Sequence, residues 1–144
     1  MDWLTGLPIL AATCLTPLVV YLWGKAFPPD PLRELESPAD LKARNGWIDV
    51  IATCFMFIGM ITPIVLFGRN LNSVGMPAVG LMFGLMVIFH FVWVCIATLP
   101  FGIRRFREFW RFYELRWGIG MRGIKIVYIP FAMLGFFSAA YIWL

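Results

Sequence analysis

The sequence predicts an all-α integral membrane protein: a four-transmembrane-helix bundle with a cytoplasmic amphipathic interfacial helix between helices three and four. Three observations predict it. The 144-residue chain is 61% hydrophobic with a mean hydropathy of +0.82, too few polar side chains to cover a globule of this size in water. Its apolar residues fall in blocks of about twenty, the length an α-helix needs to cross a hydrocarbon core, and not in the alternating ten-residue segments of an outer-membrane barrel. Between the last two blocks runs an arginine-rich, aromatic segment, PFGIRRFREFWRFYELRWGIGMRGIK, which holds more than half of the twelve basic residues.

The whole chain, 1–144, reads as one membrane domain. Its first span covers Trp3 to Trp23. Met1-Asp2-Trp3 supplies no positive charge ahead of the apolar run and Lys25 follows it, so the block reads as a span and not as a cleaved signal peptide. Thr16-Pro17 in its middle removes a backbone donor and bends the helix. The loop 25–46 is the one polar stretch. Phe27-Pro28-Pro29 stops the first helix, Ser37-Pro38-Ala39-Asp40 reads as an N-cap and first turn, and Asn45-Gly46 closes a short helix there.

Span two covers Trp47 to Phe67, with Asp49 near its start and Thr62-Pro63 near its end. The polar turn 68–75 then sends span three, Met76 to Leu99, back beside it. Gly80 and Gly84 form a GxxxG pattern on span three, where small residues four apart let helix backbones approach closely in lipid. Pro100 and Gly102 break the chain, and the interfacial helix follows over about 102–118. Read at about 100° per residue, it gathers Ile103, Phe106, Phe109, Trp110, Tyr113 and Trp117 on one stripe with Arg and Glu around the remainder, the pattern of a helix in a membrane interface. Span four covers Ile124 to Leu144, with Gly135 and Ala139 on a small-residue face.

Basic residues set the expected orientation. Lys25, Arg33, Lys42 and Arg44 lie in the first long loop, and Arg104, Arg105, Arg107, Arg111, Arg116, Arg122 and Lys125 in the second; the opposite side has Arg69 alone. Both long loops are expected in the cytoplasm and both termini outside, in a bacterial inner membrane. The formal charge of +4 points to anionic lipid head groups or an acidic partner surface, and not to nucleic acid, for which the chain has no reading or stacking fold.

Little of the sequence carries chemistry. His90 is the ionisable group nearest mid-membrane, a functional candidate by default; Thr13 and Thr16 come to a similar depth, and Thr53 lies nearer the cytoplasm. Its bland reading is a neutral imidazole bonded to a threonine or carbonyl of a neighbouring helix. Asp49 is expected to cap its helix or pair with a loop arginine. Cys14, Cys54 and Cys95, singly placed, read as small interior residues. No metal set is visible, and no cofactor is expected; haem would need a second chain, because one histidine cannot supply two axial ligands. Gly118 to Gly123 has GxGxxG spacing, but no strand precedes it. The arginines Arg104, Arg105, Arg107, Arg111 and Arg116, with Trp110 and Trp117, form the expected surface for lipid or a partner.

These features favour a non-catalytic small polytopic protein, an accessory or interaction subunit of a larger membrane assembly, oligomeric or in a hetero-complex with other membrane subunits. The competing readings are an immunity-type protein guarding the membrane against an inserting toxin, an oligomeric channel or carrier using His90, and a haem- or quinone-linked redox subunit.

Overall fold

A computed structural model describes residues 6–28, 38–68 and 75–144. They are helical throughout, with no strand among the described residues, and four helices are long and apolar enough to cross a membrane. In chain order these are α1 (Leu7–Ala26), α2 (Pro38–Phe67) and α3 (Met76–Thr98). A 3-10 turn, Leu99–Phe101, leads to the shorter α4 (Ile103–Trp117), and α5 (Met121–Trp143) is the fourth apolar helix. α2 packs on α3, α3 on α5 and α5 on α1, while α4 lies against α2 and α3.

The breaks follow local chemistry. Gly102 between the 3-10 turn and α4 has φ 104°, and Gly118 caps α4 in the left-handed conformation at φ 76°, both open to a residue without a Cβ. Within α5, residues Ile124–Tyr128 form a π turn in which the Ile129 N–H reaches back to the Ile124 carbonyl. Pro130 follows immediately. It has no N–H to continue the α ladder, so widening of the turn just ahead of it costs little.

The largest departure from expectation is in α2. Asn45-Gly46 does not end a short helix; α2 runs unbroken through it for 30 residues. Tertiary burial overrides the local stop signal. Leu41, Asn45, Ile48 and Asp49 make one stripe against the rest of the protein, all at or below 1% exposure. The Asn45 side chain, which would otherwise favour a turn, donates from Nδ2 to the Leu41 carbonyl at 2.8 Å inside the helix. At about 1.5 Å per residue, α2 is roughly 45 Å long, well beyond the ~30 Å hydrocarbon core. The expected cap Ser37, Pro29, and Arg69 with its turn lie outside the described residues.

Two smaller expectations also change. Cys14 and Cys54 are exposed on the protein's outer face and only Cys95 is half-buried, so the first two are not interior residues. The aromatic stripe of α4, expected at the acyl boundary, contacts the protein's own helices: Phe106, Phe109 and Trp110 are fully buried and Phe112 and Tyr113 nearly so. Ile103 and Trp117, at the two ends of that stripe, remain exposed.

Candidate functional site

The helix–helix contacts place the site and rest on small residues. Gly80 and Gly84 of α3 face α5, where Gly84 meets Gly135 backbone to backbone and Gly80 meets the Ser138 side chain. Ser138 is fully buried there, and its Oγ has no hydrogen-bond partner among the described residues. Ala139, one position further on, is half-buried. On the other side of α3, Gly59 of α2 sits against the Leu85 backbone, the Trp93 indole donates to the Ile48 carbonyl at 3.2 Å, and Phe55 stacks on Trp93 at 5.2 Å.

These crossings hold α3 so that His90 points into an aromatic enclosure. The imidazole is fully buried, with the rings of Tyr113, Tyr128 and Trp110 centred 5.2, 5.4 and 6.1 Å away. Its Nδ1 is hydrogen-bonded to the Tyr128 hydroxyl at 2.9 Å, so the partner is a tyrosine of α5 and not a threonine or backbone carbonyl. A neutral imidazole satisfies that bond with the proton on either atom of the pair. The π turn ends on Tyr128, at the point where its side chain meets α3. Tyr113 of α4 in turn makes a side-chain hydrogen-bonding contact with Tyr128. Burial pushes the Tyr113 phenol above its ordinary value, and the Asp49 carboxylate nearby adds to the rise. Tyr113 is therefore a neutral hydroxyl at physiological pH.

Asp49 links the enclosure to the protein surface. Its carboxylate is almost fully buried, and Oδ2 receives the Arg116 guanidinium at 3.1 Å and the Trp117 indole N–H at 3.3 Å. Both donors come from the last turn of α4, so Asp49 pins the end of that helix to α2. The Arg116 side chain is 42% exposed, and water screens its side of the pair to about 1 kcal/mol or less.

The other arginines divide. Arg105 bonds Glu108 at 3.1 Å and the Arg44 carbonyl at 2.8 Å, and Arg107 reaches the Pro28 carbonyl at 3.3 Å. These two hold α4 to the start of α2 and the end of α1. Arg111 is half-buried, whereas Arg104, Arg116 and Arg122 are exposed. Trp110, expected on lipid or a partner, is internal, because six rings, those of His90, Phe91, Phe106, Phe109, Tyr113 and Tyr128, surround it.

The threonines do not join His90. Thr13 is exposed and gives its hydroxyl to the Ile9 carbonyl at 2.8 Å; Thr53 gives its own to the Asp49 carbonyl at 2.9 Å. Thr16 is half-buried on α1, a helix whose main packing is on α5. Among the described residues, no three His, Cys, Asp or Glu side chains come together as a metal set. The enclosure is filled by side chains, which suits holding helices together better than admitting a substrate.

Sequence reasoning missed Tyr128, Phe112 and Ser138. Tyr128 was legible as the one hydroxyl in the first turns of span four, and Ser138 as a small residue three positions after Gly135. Phe112 lies at the edge of the α4 stripe, where the wheel gave no reason to include it. Tyr128→Phe, which leaves Nδ1 without its partner, is expected to cost about 1–2 kcal/mol, read by thermal unfolding in detergent. The same change made on a His90→Leu background should cost less, since only the contact with Tyr113 is then lost.

No family model, curated protein or solved structure matches this chain.

Proposed function

We propose that this protein is a non-catalytic accessory or interaction subunit of a larger membrane assembly. The observation that carries the reading is the seating of α4. Its aromatic face is consumed by internal packing, with Phe106, Phe109 and Trp110 fully buried, so the helix is a rigid mount and not a loose anchor. Its exposed residues include the guanidinium groups of Arg104 and Arg116, with that of Arg122 at the start of α5, beside Ile103, Glu114, Leu115 and Trp117. A fixed array of planar guanidinium groups suits bidentate recognition of carboxylates on an acidic partner.

In this reading the four apolar helices form a transmembrane bundle with α4 at its cytoplasmic membrane face. The distribution of Lys and Arg supports that orientation, with both termini outside and the membrane a bacterial inner membrane. The burial of His90 among Tyr113, Tyr128 and Trp110 supports a structural imidazole.

The structure changes which residues should be tested. Arg105 and Arg107 have internal bonds, so reversing them would disturb the fold as well as the surface. Reversal of the exposed Arg122, Arg122→Glu, is expected to release a co-purifying membrane protein during mild-detergent affinity purification, while membrane insertion and helix content stay unchanged. A preparation from native membranes that brings down no stoichiometric partner by mass spectrometry would overturn the proposal.

A further inference from the structure

We propose that the groove between the first turns of α2 and the last turn of α4 is a binding site for the head group of an anionic phospholipid. The groove encloses about 360 Å³ and is lined by Pro38, Lys42, Phe112, Leu115 and Arg116. That volume falls at the small end of ligand sites, roughly 300–1,000 Å³. Its walls are of two kinds. Lys42 and Arg116 supply cations from two different helices, whereas Phe112 and Leu115 supply an apolar floor, Leu115 being 63% exposed.

The charges are suited to holding a phosphate. Lys42 is exposed and makes no ion pair among the described residues. Arg116 is steered by Asp49, which takes Nη1 at 3.1 Å and leaves the rest of the guanidinium fork its donors. Among the described residues two cations face one buried carboxylate, an excess of positive charge at the groove, and Asp40 of the same α2 turn is not one of the described lining residues. Positive charge selects an anionic head group over a zwitterionic one, because the choline of the latter carries its own cation beside the phosphate.

Depth selects a lipid over a soluble anion. The apolar part of α2 begins at Trp47, and Lys42 lies five residues before it, about 7–8 Å further out along the helix. Head-group layers add roughly 5–8 Å on each side of the hydrocarbon, so a span with Trp47 at the boundary puts Lys42 at the level of the phosphates. Phe112 and Leu115, lining the same groove, offer the glycerol and first acyl carbons of that lipid an apolar surface. A soluble phosphate would use the cations and leave the apolar floor uncovered.

The test is native mass spectrometry of the full-length protein in mild detergent, offered equal amounts of dioleoylphosphatidylglycerol and dioleoylphosphatidylcholine, with and without excess inorganic phosphate. Wild-type protein is expected to retain phosphatidylglycerol preferentially, and phosphate should not displace it. Lys42→Gln should lower that retention roughly fivefold, the effect of one basic residue at an anionic surface, and Lys42→Arg should restore it. Leu115→Ser should weaken retention of the lipid, while Arg122→Gln, outside the groove, should leave it unchanged. Helix content by circular dichroism separates these outcomes from unfolding. Equal retention of the two lipids, an unaffected Lys42→Gln variant, an Arg122→Gln loss as large as that of Lys42→Gln, or full displacement by inorganic phosphate would each overturn the assignment.

Discussion

Trp110→Ala is expected to destabilise the protein by about 3–5 kcal/mol, the range for truncating a buried aromatic side chain, measured by denaturant or thermal unfolding in detergent. The ring is fully buried and stands within 5.4 to 6.2 Å, centre to centre, of six others drawn from α3, α4 and α5. Removing it empties the junction at which α4 is held to the long helices, and neighbouring rings are too rigid to collapse into the space. Trp117→Ala on the same helix should cost about 1 kcal/mol, since that indole is 54% exposed and its polar contribution is one hydrogen bond, to Asp49. Equal losses from the two variants would mean that the enclosure around His90 does not hold α4 in place.

The second large effect is expected at the crossing of α3 and α5. A Cβ on Gly84 would meet Gly135 N at 2.8 Å and the Phe131 carbonyl oxygen at 3.0 Å, with Gly135 Cα closer still. All three obstacles are backbone, so no side-chain rotation relieves them. Gly84→Ala should therefore cost about 1–3 kcal/mol. Gly84→Leu should separate the helices, seen as loss of a cysteine cross-link engineered across that crossing. Gly46→Ala gives the opposite sign: nothing lies within 4 Å of a Cβ there, and α2 should gain about 0.5–1 kcal/mol from the better helix former. If Gly84→Ala behaves like Gly46→Ala, the close approach of α3 to α5 is not real.

What could be read from the sequence depended on whether the deciding interaction was local. Four apolar blocks of spanning length and the break at Pro100 and Gly102 are each specified within a few residues, and the structure has them. Gly80 and Gly84 were visible as a pattern, but their partners, Ser138 and Gly135, are set by which helix lies alongside. The continuity of α2 through Asn45-Gly46 was hidden for the same reason, because the stop signal is local and the burial of Leu41 and Ile48 that overrides it is not.

At the candidate site the polarity of the α4 wheel was legible and its meaning was not. An amphipathic helix facing lipid and one facing its own protein have the same period. Only the rings of Phe91, Tyr128 and His90 across from Trp110 distinguish them. His90 stood out as an intramembrane polar group, whereas its hydrogen bond to Tyr128 joins positions 38 residues apart.

The order in which the helices touch also carries a history. α2 and α3 are neighbours in the chain and in space, and can close on each other as soon as both have been synthesised. The principal neighbour of α1 is α5, which begins at Met121, long after α1 ends at Ala26. Until that late helix arrives, α1 lacks its main packing partner and is held only at its end, where Trp23 and Phe27 meet Phe91 and Phe106. Close contacts between distant parts of a chain form slowly, so the first helix to be made is the last to be fixed in place. During that interval it is the one element that a chaperone, or a second copy of the chain, could capture.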